Sequence, residues 1–194
     1  VIQIPPEFDD FKELWAEAEA IWVAHENAPA FHGYVSADYA AILAKLLELR
    51  ARATTFLEWG SGLGVVAIMA SRLGFEAYGI EVEPQLVDFS MRLAEKYKAS
   101  ATFATGSFIP ADFEARLEAG DEFHRTIIDD ASGYEELGME LRDFDLVYAF
   151  PWPEELPVFR SIIRQCGASN TLFLRYDVRE GLSLTRPAKS RSKK

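Results

Sequence analysis

The 194-residue chain is 49% hydrophobic and carries a formal charge of −11. That is enough apolar material for one core, and the wrong sign for a body that grips polyanions such as nucleic acid. Its single cysteine, Cys166, excludes an internal disulfide and any multi-cysteine metal centre, in keeping with a reducing cytoplasm. No stretch is apolar enough to span a membrane, and no charged-then-apolar leader opens the chain, which starts on Val1 and so implies a trimmed initiator.

Pro5-Pro6 predicts an extended start. Asp9 or Asp10 is then positioned to cap a helix that carries Phe11, Leu14, Trp15, Ala18, Ile21 and Trp22 on one face. Pro29 breaks that pattern, and residues 31–36 read as a loop. Ser36 is the expected cap of a second helix through Ile42, Leu43, Leu46, Leu47 and Leu49. Residues 1–50 are thus expected to form a helical extension packed on a domain of residues 51–185, with residues 186–194 as a disordered basic tail.

Thr55–Glu83 is the segment around which the rest is arranged. Phe56-Leu57 begins a buried strand that runs into Glu58-Trp59-Gly60-Ser61-Gly62-Leu63-Gly64. Residues 65–70 are apolar enough for a helix against a sheet, Gly74 ends it, and residues 77–80 form a second strand ending on Glu81. The pattern is a nucleotide-binding crossover with an acid at the tip of each strand. Glycines there let the backbone turn sharply, approach a ligand and leave the next helix's N–H groups open. Val65 stands where a dinucleotide fingerprint has its third glycine, and Glu58 would repel a pyrophosphate. Glu81 lies 81 − 58 = 23 residues after Glu58, about the spacing at which a terminal carboxylate receives a ribose diol. A ligand with an amine, a positive centre and an unphosphorylated ribose satisfies these constraints.

On Glu58-Trp59-Gly60-Ser61-Gly62-Leu63-Gly64 with Glu81, the chain resembles the class I S-adenosylmethionine-dependent methyltransferases, from about Ala30 to Tyr176. The resemblance implies an α/β fold, a doubly wound and mostly parallel sheet in the order 3-2-1-4-5 with helices on both faces. It implies S-adenosylmethionine as cofactor, held by Glu58, Gly60, Ser61, Gly62, Gly64, Glu81, Val82, Ser107 and Phe108. Tyr34 is a candidate lid over the cofactor, with a core tyrosine as the equal alternative. Ser107 stands where the family commonly has an acid for the adenine amine.

Pro84 suits the first turn of a helix bearing Leu86, Val87, Phe89, Met91, Leu93 and Ala94, and residues 101–105 form a third strand. A helix is expected from Asp112 to Ala119, and residues 126–128 read as a short strand or buried loop. Asp129, Asp130, Glu135 and Glu136 are open to two readings, a divalent-metal cluster and a solvated turn with a helix cap; the turn is the simpler. His25, His32 and His124 lack metal-ligand spacing, with His32 retained for substrate contact.

Residues 145–150 form the fourth strand, and Pro151-Trp152-Pro153-Glu154-Glu155 follows at the switch point of such a sheet. Phe150 replaces the polar residue, and Trp152 splits the prolines, of the family members that methylate amide or exocyclic amine nitrogens. Trp152 and Glu154 are the catalytic-side candidates, Trp152 as an apolar wall and Glu154 as a proton acceptor or a charge in the following helix turn. The helix after it stops at Gly167, residues 171–176 form a fifth strand, and residues 182–185 return as an antiparallel sixth. The family usually continues through another helix and two strands, so a truncated C-terminal end is implied.

The function expected is methyl transfer to a small-molecule acceptor, with no membrane, nucleic acid disfavoured and a protein partner left open. The alternatives are a catalytically silent module that holds the cofactor or its demethylated product for a partner, and an NAD-dependent oxidoreductase, which Val65 and Glu58 disfavour.

Overall fold

The structure, a computed structural model, describes residues 8–32, 35–114 and 131–186. Tyr34, residues 126–128, Asp129-Asp130, His124 and the tail beyond Arg186 lie outside the described residues. Among those that are described, no helix is long and apolar enough to cross a membrane.

One six-stranded sheet organises the chain, in the order β3-β2-β1-β4-β5-β6. The strands are β1 Thr55–Trp59, β2 Glu76–Glu81, β3 Thr102–Thr105, β4 Leu146–Ala149, β5 Leu172–Asp177 and β6 Gly181–Thr185. The first five run parallel, and β6 pairs antiparallel with β5. The expected 3-2-1-4-5 order therefore stands, extended by the short return strand. A connection as brief as Val178–Glu180 allows only a hairpin.

Strand alternation divides the core into two layers. Phe56, Leu146 and Leu174 face one side, packed with α1 Phe11–His25, α2 Tyr39–Leu49, α3 Val65–Arg72 and α4 Pro84–Lys96. Leu57, Val147 and Phe173 face the other, packed with α5 Gly133–Leu137 and α6 Leu156–Cys166. Both faces are covered, as a parallel sheet requires. Helices α1 and α2 contribute Phe11, Leu14, Ile42, Leu43, Leu46 and Leu49 to the first layer, all fully buried.

Three local expectations are corrected. Asp10 precedes α1 but makes no side-chain cap bond; its carboxylate takes the Arg72 guanidinium at 2.8 Å and so ties α1 to α3. The cap of α2 is Asp38, which accepts from the Ala41 N–H at 3.0 Å, and Ser36 lies too far before the helix to do so. Asp112–Glu114 are not helical, and the rest of that expected helix lies outside the described residues. Glu135 and Glu136 fall in the first turn of α5, where Glu136 accepts from the Thr105 N–H at 3.0 Å. Among the described residues no group of three His, Cys, Asp or Glu side chains is placed to hold a metal ion.

Candidate functional site

The glycine turn between β1 and α3 works through backbone conformation. Gly60, Gly62 and Gly64 have φ of +62°, +54° and +69°, a left-handed region that a side chain disfavours. Gly64 is also pressed from outside: a Cβ there would come within 2.6 Å of the Phe103 ring and 2.7 Å of Ser90 Cβ. The turn is pinned to the next strand by the Ser61 N–H, which donates to the Ile80 carbonyl at 3.0 Å.

Two glutamates flank this turn. Glu58, on β1, is 5% exposed, and its carboxylate accepts the Ala67 N–H in the first turn of α3 at 2.8 Å. It serves as the N-terminal acceptor that Gly64, having no side chain, cannot supply. Removal from water pushes the Glu58 carboxyl up to about 8, the Ala67 bond opposes that shift, and the Glu81 charge adds to it. Glu81, at the tip of β2, accepts the Gly62 N–H at 2.8 Å and the Glu83 N–H at 3.2 Å. Burial raises its pKa as well, with those backbone donors pulling the other way.

A cavity of about 680 Å³ opens at the carboxyl ends of β1, β2 and β4, where the winding of the sheet reverses. Of the residues singled out in the sequence, Glu58, Gly60, Ser61, Gly62, Glu81, Val82, Phe108, Trp152 and Glu154 line it. Gly64 and Ser107 do not: Gly64 lies behind the turn, and Ser107 is buried in a bridge to Ser132, where its Oγ accepts the Ile109 N–H at 3.2 Å. Phe108 reaches the cavity as part of an aromatic stack, 5.0 Å from the Trp59 ring centre. Trp59 is fixed in turn by its indole N–H, which donates to the Tyr134 hydroxyl at 2.8 Å. His32 lines the cavity too.

The segment after β4 forms the opposite wall. Phe150 meets the Tyr176 ring edge-on at 5.0 Å, Pro151 is buried, and Pro153–Glu155 form a 3-10 turn into α6. Glu154 is exposed at the mouth, whereas Glu155 is only 3% exposed.

Several cavity residues carried no recognisable motif. Asp177, at the end of β5, and Val178 and Arg179, in the turn to β6, reach it because β5 lies beside β4. Tyr148 also lines it, one strand over from Glu58 and in register with it. The alternation of β4 was the available signal, since Tyr148 shares the face of Leu146. Ser61 and Tyr148 both line this cavity, and their buried hydroxyls have no hydrogen-bond partner among the described residues. Buried hydroxyls are usually satisfied, so two such orphans at one cavity are positions that a polar ligand could satisfy.

No family model matches the chain. A 60-residue stretch is 42% identical to the ribosomal protein L11 methyltransferase of Cupriavidus metallidurans, a match spanning 30% of this chain and 20% of that protein. Among solved structures, an RNA methyltransferase of Salinibacter ruber in complex with S-adenosyl-L-homocysteine superposes with a TM-score of 0.56 at 16% identity, over 82% of this chain and 97% of the other. An O-methyltransferase of Bacillus cereus, also complexed with S-adenosyl-L-homocysteine, gives 0.55 at 18% identity over 87% and 67%. A Podospora anserina methyltransferase gives 0.55 at 16% identity over 89% and 62%. The chain has the Rossmann-like fold of the class I methyltransferases.

Proposed function

We propose that the chain binds S-adenosylmethionine in the 680 Å³ cavity and transfers its methyl group to a small-molecule acceptor admitted beside Trp152. The observation that carries this reading is the meeting of Glu58, Glu81 and the left-handed glycine turn at one cavity on the switch point of the sheet. The orphaned hydroxyls of Ser61 and Tyr148 fit a ligand rich in polar groups.

When bound, S-adenosylmethionine supplies an electrophilic methyl on a sulfonium. Glu81 is suited to take the ribose hydroxyls, its carboxylate keeping acceptor capacity beyond the backbone N–H groups of Gly62, Glu83 and Val82. Glu58 presents buried carboxyl density toward a positive ligand. Phe150, Pro151, Trp152 and Pro153 offer rigid apolar surface that keeps water from the reacting atoms. An in-line displacement depends on alignment and desolvation more than on acid–base groups, which accounts for the lack of a conspicuous catalytic cluster.

The cavity's charges favour a small acceptor over a nucleic acid. The carboxylates of Glu83, Glu154 and Asp177 line it against the Arg179 guanidinium, so phosphates would meet a negative rim. A silent cofactor-holding module is the second reading, favoured by Phe150 in place of a polar residue at the end of β4. Calorimetric titration with S-adenosylmethionine, S-adenosylhomocysteine and NAD tests the cofactor, and methylation of an acceptor panel tests turnover. Preference for NAD would overturn both readings. Tight S-adenosylmethionine binding with no methylated product across neutral, amine, phenol and thiol acceptors would favour the silent module.

A further inference from the structure

We propose that Tyr148 is a cofactor-binding residue whose hydroxyl contacts the amino-acid end of S-adenosylmethionine, together with Glu58. The inference rests on the cofactor reading above.

Topology supplies the first reason. Glu81 is on β2, Tyr148 is on β4, and β1 lies between them. With neighbouring strands about 4.8 Å apart, the two positions are separated by about 10 Å across the sheet's carboxyl edge. The ribose is the middle of this cofactor, so with the ribose at Glu81 one end crosses β1 toward β4; the polar groups on that side, Glu58 and the Tyr148 hydroxyl, match the ammonium and carboxylate of the amino-acid end rather than the adenine. Tyr148 stands directly opposite Glu58 in the β1–β4 register.

The second reason is the state of the hydroxyl. Tyr148 is 2% exposed, lines the cavity and has no hydrogen-bond partner among the described residues. A phenylalanine would fill the same ring position beside Leu146 and Leu174 without leaving a polar atom stranded. Keeping the hydroxyl dry and unpaired is destabilising, so its chemistry is expected to be used by a ligand. Burial and the nearby Glu58, Tyr39 and Tyr176 raise its pKa, which keeps the group protonated and able both to accept from an ammonium and to donate to a carboxylate. Ser61, the other such hydroxyl at the cavity, sits on the β2 side of β1, where its N–H donates to the Ile80 carbonyl, so the two hydroxyls address different parts of an elongated ligand.

The test is Tyr148→Phe, which removes one oxygen and retains the ring. Calorimetry compares parent and variant with S-adenosylmethionine and with 5′-methylthioadenosine, which keeps the nucleoside and thioether but lacks the amino-acid end. The expected result is about tenfold weaker S-adenosylmethionine binding, the loss of one hydrogen bond to a charged group, with methylthioadenosine affinity unchanged. Thermal stability should stay level or rise, because an unsatisfied hydroxyl has gone. Parental S-adenosylmethionine affinity in the variant overturns the assignment, as does an equal loss for both ligands or a large fall in melting temperature. If the parent binds neither S-adenosylmethionine nor S-adenosylhomocysteine, the cofactor reading itself fails. Parent binding with an unaffected variant removes Tyr148 alone.

Discussion

The Glu81 carboxylate accepts the Gly62 backbone N–H at 2.8 Å, so the acid at the tip of β2 is held in place by the glycine turn that follows β1. A side chain that a flexible strand end would leave to solvent is instead oriented by the backbone it must cooperate with.

Replacing Glu81 by alanine removes the proposed acceptor for two ribose hydroxyls. Affinity for S-adenosylmethionine should fall thirty- to hundredfold, about 2–3 kcal/mol. Calorimetry on Glu81→Ala and Glu81→Gln checks this, and parental affinity in both would take the ribose away from this residue.

Gly60 and Gly64 differ in a way that stability can read. Both have positive φ, but an added Cβ meets nothing within 4 Å at Gly60, whereas at Gly64 it overlaps Phe103 and Ser90. Gly60→Ala should lose about 1–2 kcal/mol from backbone strain alone. Gly64→Ala should lose a further 1–3 kcal/mol from overpacking. Urea unfolding of the two variants measures the difference, and equal losses would mean that the Phe103 ring yields freely.

The buried Glu58 carboxyl imposes a pH dependence. In the folded chain it holds its proton up to about pH 8, whereas an ordinary carboxyl releases it near 4.5. Between those values the folded state binds more protons than the unfolded state, so this contribution is complete below the lower value and is lost as pH rises toward the upper one. Glu81 is shifted in the same direction. Unfolding free energy measured from pH 5 to pH 8 should therefore fall more steeply in the parent than in Glu58→Gln, whose amide mimics the protonated acid. Parallel profiles would show that Glu58 titrates normally.

Trp152 tests the acceptor wall. It lies partly buried at the cavity, just before the 3-10 turn into α6. In Trp152→Ala, S-adenosylmethionine affinity and melting temperature should stay near parental values while methylation of any accepted substrate drops by at least tenfold. A large stability loss with turnover intact would assign the indole to the core.

The sequence by itself determined the crossover between β1 and β2, and through the resemblance it carries it implied the order of the parallel strands. Gly60, Gly62, Gly64 and the acids at positions 58 and 81 act through local backbone geometry and fixed spacing, and both are written in consecutive residues. Apolar runs such as Phe56-Leu57 and Leu146-Val147 likewise announce buried strands, because a parallel sheet is covered on both faces. Caps were less legible: Ser36 and Asp38 are equally good acceptors on paper, and only the point where α2 begins chose Asp38. The partners of the acids were not legible either. Glu58 was expected to await a cation, yet it also accepts the Ala67 N–H of α3, a contact that exists only once α3 has folded back over β1. The alternation of β4 assigns Tyr148 its face, but Tyr148 and the segment Asp177–Arg179 became cavity residues through tertiary structure. No local pattern distinguishes a tyrosine with a stranded hydroxyl from one packed in a core; strand register against Glu58 and the placement of β5 beside β4 made that distinction.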